Sequence, residues 1–140
     1  MAKQIRRELV LGNFRTPKSA QVKRRSTWRQ KRPGMSDGHL KLIRKLPCLA
    51  CLKVPAGTVH HLKDVPGRER GMAIRATDRW GVPMCIHCHE LIERAGSRNE
   101  RQWFVEHAAV DVVLVAMSLW GATGDVSRML RVLIAHKGGA

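Results

Sequence analysis

The chain has 140 residues, of which 44% are hydrophobic but only 4% aromatic, and it carries a formal charge of +15. That length holds one small domain with an extension and excludes two large enzyme domains. A core with no Tyr and two Phe is modest and aliphatic and needs a further source of stability, while the surplus of cations calls for a polyanionic partner.

Residues 1–35 hold eleven Lys or Arg against one acid, Glu8, for a net +10, and the other 105 residues share +5. Apart from a short LVLGNF patch the segment is poor in large apolar residues, and it runs into the breaker cluster KRPGMSDG. It therefore reads as a basic arm, partly disordered until it meets nucleic acid, with Lys23, Arg24, Arg25, Arg29, Lys31 and Arg32 as phosphate contacts. Trp28 suits either base stacking or anchoring to the domain. A membrane surface is the weaker alternative, because QVKRRSTWRQKRPG lacks the wide apolar face of an interfacial helix. No apolar run approaches the roughly 20 residues of a membrane span, and MAKQIRRELVLGNF lacks a signal peptide's apolar segment, so the expected location is the cytoplasm.

Residues 36–96 form a metal-rich centre. Ser36 or Asp37 is the expected N-cap of a helix through HLKLIRKL that stops at Pro47. CLACLKVPAG reads as a turn, TVHHL as a short strand, KDVPGRERGMAIRATD as a basic loop, WGVPMC as a second strand and CHELIERAG as a helix closed by Gly96. Arg68, Arg70, Arg75 and Arg79, in and after the basic loop, repeat the sign of the arm and are further candidates for contacting a nucleic-acid backbone. Residues 97–140 carry three helical patterns, NERQWFVEHA, DVVLVAMSLWGATG and DVSRMLRVLIAHK, with Asn99, Asp111 and Asp125 as caps. Their spacing predicts Trp103, Val115, Trp120, Leu130 and Val132 as core. The fold class is thus α+β: a small centre with two strands, flanked by C-terminal helices and the basic arm.

Cys48 and Cys51 form one C-x2-C pair and Cys85 and Cys88 a second. Two such turns can present four thiolates about 2.3 Å from one tetrahedral Zn²⁺, and four thiolates leave no open position, so the expected ion is structural. Disulfides are the competing use of the pairs and are disfavoured in a reducing compartment. His60 and His61 lie between the pairs and His89 follows the last cysteine. Neighbouring strand residues point to opposite faces, so one of the two adjacent imidazoles can ligate a metal while the other faces a substrate only at a bend or strand end. His87 reads as structural.

In this order, LIRKLPCLAC, VHHL, GRERGMAIRATDRWGVPMCIHCHELIERAG and the tail LWGATGD resemble the HNH (ββα-metal) endonucleases, and within them phage-borne recombination endonucleases of the Ref-like kind. The likeness covers roughly residues 40–125. It implies a β-hairpin and helix gripping one divalent cation, with His60 and His89 as ligands and His61 as the general base that activates water. It also implies DNA as partner, single- or double-stranded, in a nucleoid or a phage-infected cell, and it admits a recombination or replication protein beside it. Two imidazoles with open water positions suit Mg²⁺ only moderately and Mn²⁺, Co²⁺ or Ni²⁺ better, so the expected cation is Mg²⁺ or Mn²⁺, with Co²⁺ and Ni²⁺ as further candidates. The chain departs from the pattern twice. The central Asn of the motif falls on Trp80, leaving Asp78 to orient His61, and a further His one helical turn after His89 is replaced by Glu93, whose carboxylate is a third candidate ligand. The sequence thus points to a metal-dependent DNA endonuclease or nickase. The alternative is a non-catalytic zinc-knuckle nucleic-acid binder on the same scaffold.

Overall fold

Ser36 opens the first helix: its backbone is extended, its Oγ accepts from the N–H of His39 at 3.1 Å, and α1 runs Asp37–Ile43. Such a cap contributes about 1 kcal/mol. The structure is a computed structural model describing residues 33–67 and 77–138. The predicted arm contacts Lys23, Arg24, Arg25, Arg29, Lys31 and Arg32, and the loop residues Arg68, Arg70 and Arg75, lie outside the described residues.

After α1 the chain turns through the first cysteine pair into β1 (Thr58–His61), a 3₁₀ turn (Asp78–Trp80), β2 (Gly81–Met84) and α2 (Ile86–Ala95). A second 3₁₀ turn (Ser97–Asn99) leads to α3 (Glu100–Ala108), α4 (Val112–Gly121) and α5 (Val126–Gly138). Among the described residues the architecture is α+β and mostly helical, with one two-stranded antiparallel sheet whose register sets Thr58 against Met84 and His61 against Gly81. Pro83 is compatible with β2 because, among the described residues, the strand pairs with β1 alone, and its carbonyl accepts from Leu49 N–H at 2.8 Å, docking the cysteine turn on the sheet edge. Gly81 is required by close approach: a Cβ there would lie 2.8 Å from Val59 Cγ1 and 3.1 Å from the Asp78 carbonyl.

One core joins these elements. Ile43 and Leu46 from α1 and its exit, Leu62, Val82 and Met84 from the sheet region, Ile92 from α2, Phe104 from α3, Val115 and Leu119 from α4 and Met129 and Leu133 from α5 are all buried in it. Truncating a fully buried ring such as Phe104 to Ala costs about 3–5 kcal/mol. Among the described residues no single helix is long and apolar enough to cross a membrane.

Four local expectations change. Trp120, predicted as core, is only partly buried, with its ring against His39. Trp80 closes the 3₁₀ turn instead of starting the second strand, and it is only half-buried. Asn99 does not cap α3 with its side chain, because the preceding 3₁₀ turn aims its Nδ2 back to the Ala95 carbonyl at 3.1 Å; Asp111 does cap α4, accepting from the N–H groups of Val113 and Leu114. Leu130 is 37% exposed and outside the core: α5 is rotated so that Met129 and Leu133, four apart on one face, take the buried positions. Trp103 and Val115 are buried as expected, and Val132 packs partly buried against the core.

Candidate functional site

The two C-x2-C turns converge. Leu52 N–H donates to the Cys48 carbonyl and Cys48 N–H to the Lys53 carbonyl, both at 2.9 Å, closing the first turn; Cys85 sits at the N-cap of α2 with its sulfur accepting from Cys88 N–H at 3.5 Å. All four sulfurs lie within 4.8 Å of one another, and those of Cys51 and Cys85 are 3.6 Å apart. Four sulfurs about 2.3 Å from one ion would be about 3.8 Å from each other, so the cluster is compatible with structural zinc. Cys48, Cys85 and Cys88 are buried and Cys51 faces outward. Burial pushes the Cys85 thiol up, but hydrogen bonds from the Cys88 N–H and the neighbouring thiols outweigh it and bring it down to about 7, while burial and its thiol neighbours push Cys88 up. Close-packed thiols cannot all ionise together, a conflict that a dication removes.

A second group lies on the inner side of the sheet. His60 points inward from β1 and is 1% exposed, and His89, in the first turn of α2, meets it edge to face with ring centroids 5.0 Å apart. Glu93 follows one helical turn later, and its Oε1 is 3.7 Å from His60 Nδ1. One ligand atom from each of His60, His89 and Glu93 falls within 4.8 Å of the others. His60 Nδ1 is buried without a hydrogen-bond partner, which in a folded protein wants an explanation, and a cation shared with His89 and Glu93 would supply one. Burial, reinforced by the neighbouring His60, lowers the His89 pKa and favours the neutral imidazole that binds metals. The hydrogen bond from Lys63 Nζ to Glu93 Oε2, at 2.5 Å, holds the Glu93 carboxyl below its ordinary range.

His61 takes the other side of the strand. Its Nε2 lies 3.1 Å from Asp78 Oδ1, the carboxylate being fully buried and the imidazole one-third exposed. The other carboxylate oxygen, Oδ2, accepts from Ser36 N–H at 2.9 Å, so the same residue that caps α1 also fixes Asp78. Of the sequence candidates, the structure therefore brings together His60, His89 and Glu93 in one group, His61 and Asp78 in a second and the four cysteines in a third. Arg79 is exposed with its guanidinium 4.9 Å from the Trp80 ring centre. His87, read from sequence as structural, is exposed because it points out of the first turn of α2.

Sequence reasoning missed Glu100 and His39. Glu100 Oε1 is 2.8 Å from His60 Nε2, and its Oε2 accepts from the N–H groups of Lys63 and Asp64, both at 2.8 Å. An acid in the first turn of a helix is ordinary dipole compensation, and the available signal was its spacing from Trp103 and Phe104, three and four residues on, which puts it on the buried face of α3. Burial works to raise the Glu100 pKa, but hydrogen bonds from His60, Asp64 and Lys63 outweigh it and leave the group lowered. His39, also fully buried, bonds through Nδ1 to Thr123 Oγ1 at 2.7 Å and packs edge-on against Trp120.

No protein-family model, curated protein or solved structure matches the chain.

Proposed function

We propose that this protein is a zinc-stapled, metal-dependent endonuclease or nickase of the HNH type, hydrolysing phosphodiester bonds in DNA. The observation that carries the reading is the His61–Asp78 pair, a partly exposed imidazole backed by a buried carboxylate and separated by one peptide bond from an inward His60 in a metal-compatible group.

An ionised carboxylate only accepts hydrogen bonds, so Asp78 holds the Nε2–H tautomer of His61 and leaves Nδ1 as the acceptor. An imidazole so held can take a proton from water, the role of general base. A divalent cation held by His60, His89 and Glu93, Mg²⁺ or Mn²⁺ in the first instance, would stabilise charge on the scissile phosphate and the leaving oxygen. The four-cysteine site ties the turn before β1 to the start of α2, the helix that carries His89 and Glu93. The net charge of +15 favours a polyanionic substrate through counterion release. The role of the basic arm and of Arg68, Arg70, Arg75 and Arg79 as phosphate contacts belongs to this proposal.

The test is supercoiled plasmid incubated with the protein and Mg²⁺ or Mn²⁺, beside His61→Ala. Nicked or linear product that disappears in the variant supports the reading. Equal cleavage by both proteins removes it, and DNA binding without metal-dependent cleavage turns it into a non-catalytic zinc-knuckle binder.

A further inference from the structure

His60 is held from behind, and what holds it determines which of its nitrogens faces His89 and Glu93. Its Nε2 meets Glu100 Oε1 at 2.8 Å, while Nδ1 is buried, without a hydrogen-bond partner, and 3.7 Å from Glu93 Oε1. Glu100 is 2% exposed, and its second oxygen is engaged by two backbone donors, Lys63 N–H and Asp64 N–H, both at 2.8 Å. Those two donors turn Glu100 into a fixed acceptor: an oxygen facing two N–H groups cannot be exchanged for a donor without losing both bonds. The remaining oxygen faces His60 and accepts in turn, so the imidazole proton sits on Nε2 and the lone pair on Nδ1.

We propose that Glu100 is a positioning residue for the metal group: it locks His60 in the Nε2–H tautomer and thereby makes Nδ1, on the side of His89 and Glu93, the only nitrogen able to bind a cation. The inference rests on the reading that His60, His89 and Glu93 hold a cation. It adds the residue that prepares the site and the atom through which His60 acts. Ligand imidazoles are commonly oriented by a carboxylate on the far nitrogen, and loss of that partner typically lowers metal affinity by about 10- to 100-fold. Glu100 stands at the start of α3, eleven residues beyond His89, so the proposal also makes the C-terminal helical region part of the metal site.

The substitution Glu100→Gln separates this role from mere packing. The two backbone N–H groups select the amide oxygen, which turns the amide NH₂ toward His60 Nε2 as a donor. His60 must then carry its proton on Nδ1, the nitrogen meant for the cation. With the four-cysteine site loaded with zinc, ¹⁵N NMR of the histidine side chains should report Nε2–H for His60 in the parent chain and Nδ1–H in Glu100→Gln. Titration with Mn²⁺ alone should show affinity lower by about 10- to 100-fold in the variant. A parent chain whose His60 carries its proton on Nδ1 overturns the proposal, and that measurement needs no variant to fold. Undiminished Mn²⁺ binding by a folded Glu100→Gln also overturns it, as does a parent that binds no Mn²⁺. If Mn²⁺ binding falls as expected but neither protein cuts DNA, the role of Glu100 stands and the nuclease reading fails.

Discussion

His61 and Asp78 are 17 residues apart in the chain, yet His61 Nε2 and Asp78 Oδ1 lie 3.1 Å apart, an imidazole one-third open to solvent against a carboxylate with no exposure. The asymmetry leaves the imidazole reachable from solvent while the carboxylate beneath it is held inside the protein.

Replacing His61 with Ala is expected to lower metal-dependent cleavage by about 10² to 10⁴, the usual size of general-base assistance, with metal and DNA binding retained. Asp78→Asn should lower it less, since the imidazole survives but loses the acceptor that fixes its tautomer. His60→Ala and His89→Ala should lose cation affinity instead, and excess Mn²⁺ should restore part of their activity but none of that of His61→Ala. The opposite pattern of rescue would exchange the roles of the two adjacent histidines.

One zinc per chain is expected at Cys48, Cys51, Cys85 and Cys88. Elemental analysis should find it, and Cys88→Ser or a strong chelator should remove it. Because that ion ties the cysteine turn to the start of α2, its loss should cost on the order of several kcal/mol and lower the thermal midpoint sharply. Zinc-free protein with an unchanged midpoint would assign the four sulfurs no structural ion.

His39 gives the stability a pH dependence of known sign. Burial, reinforced by nearby His61 and opposed by the charge of Asp78, lowers its pKa in the folded state below 6.5. The unfolded chain therefore takes up the proton first, so stability is full above about pH 6.5 and falls as the pH drops from there toward the folded-state pKa. His39→Asn, whose amide can still donate to Thr123 Oγ1, should flatten that acid limb in urea unfolding measured from pH 7.5 to 5. A limb as steep as the parent's would assign it to other groups.

Removing residues 1–32 should weaken DNA binding and flatten the slope of log affinity against log salt, with the zinc retained. The cut belongs before Gly34, because the Gly34 carbonyl accepts from Arg79 N–H at 3.1 Å and Ser36 N–H holds Asp78. An unchanged salt slope would deny the arm a phosphate-binding role.

What the sequence determined by itself is what local chemistry dictates. Ser36 and Asp111 cap helices because a short oxygen-bearing side chain reaches backbone donors two or three residues on. The strands around His60 and in GVPM, the helix after Cys88 and the meeting of four cysteines followed from spacing and turn residues, all short-range signals. Tertiary structure decided the rest. That Met129 rather than Leu130 faces the core depends on the rotation of α5 against α4, to which both residues are equally apolar candidates. That Glu100 faces His60, 40 residues earlier, depends on the path through α2 and the 3₁₀ turn, along which no local preference distinguishes a buried carboxylate from an exposed one. Once the backbone has brought it there, burial makes the difference: a carboxylate out of water has to find its donors within the protein, and Glu100 finds them in His60 and in the N–H groups of Lys63 and Asp64.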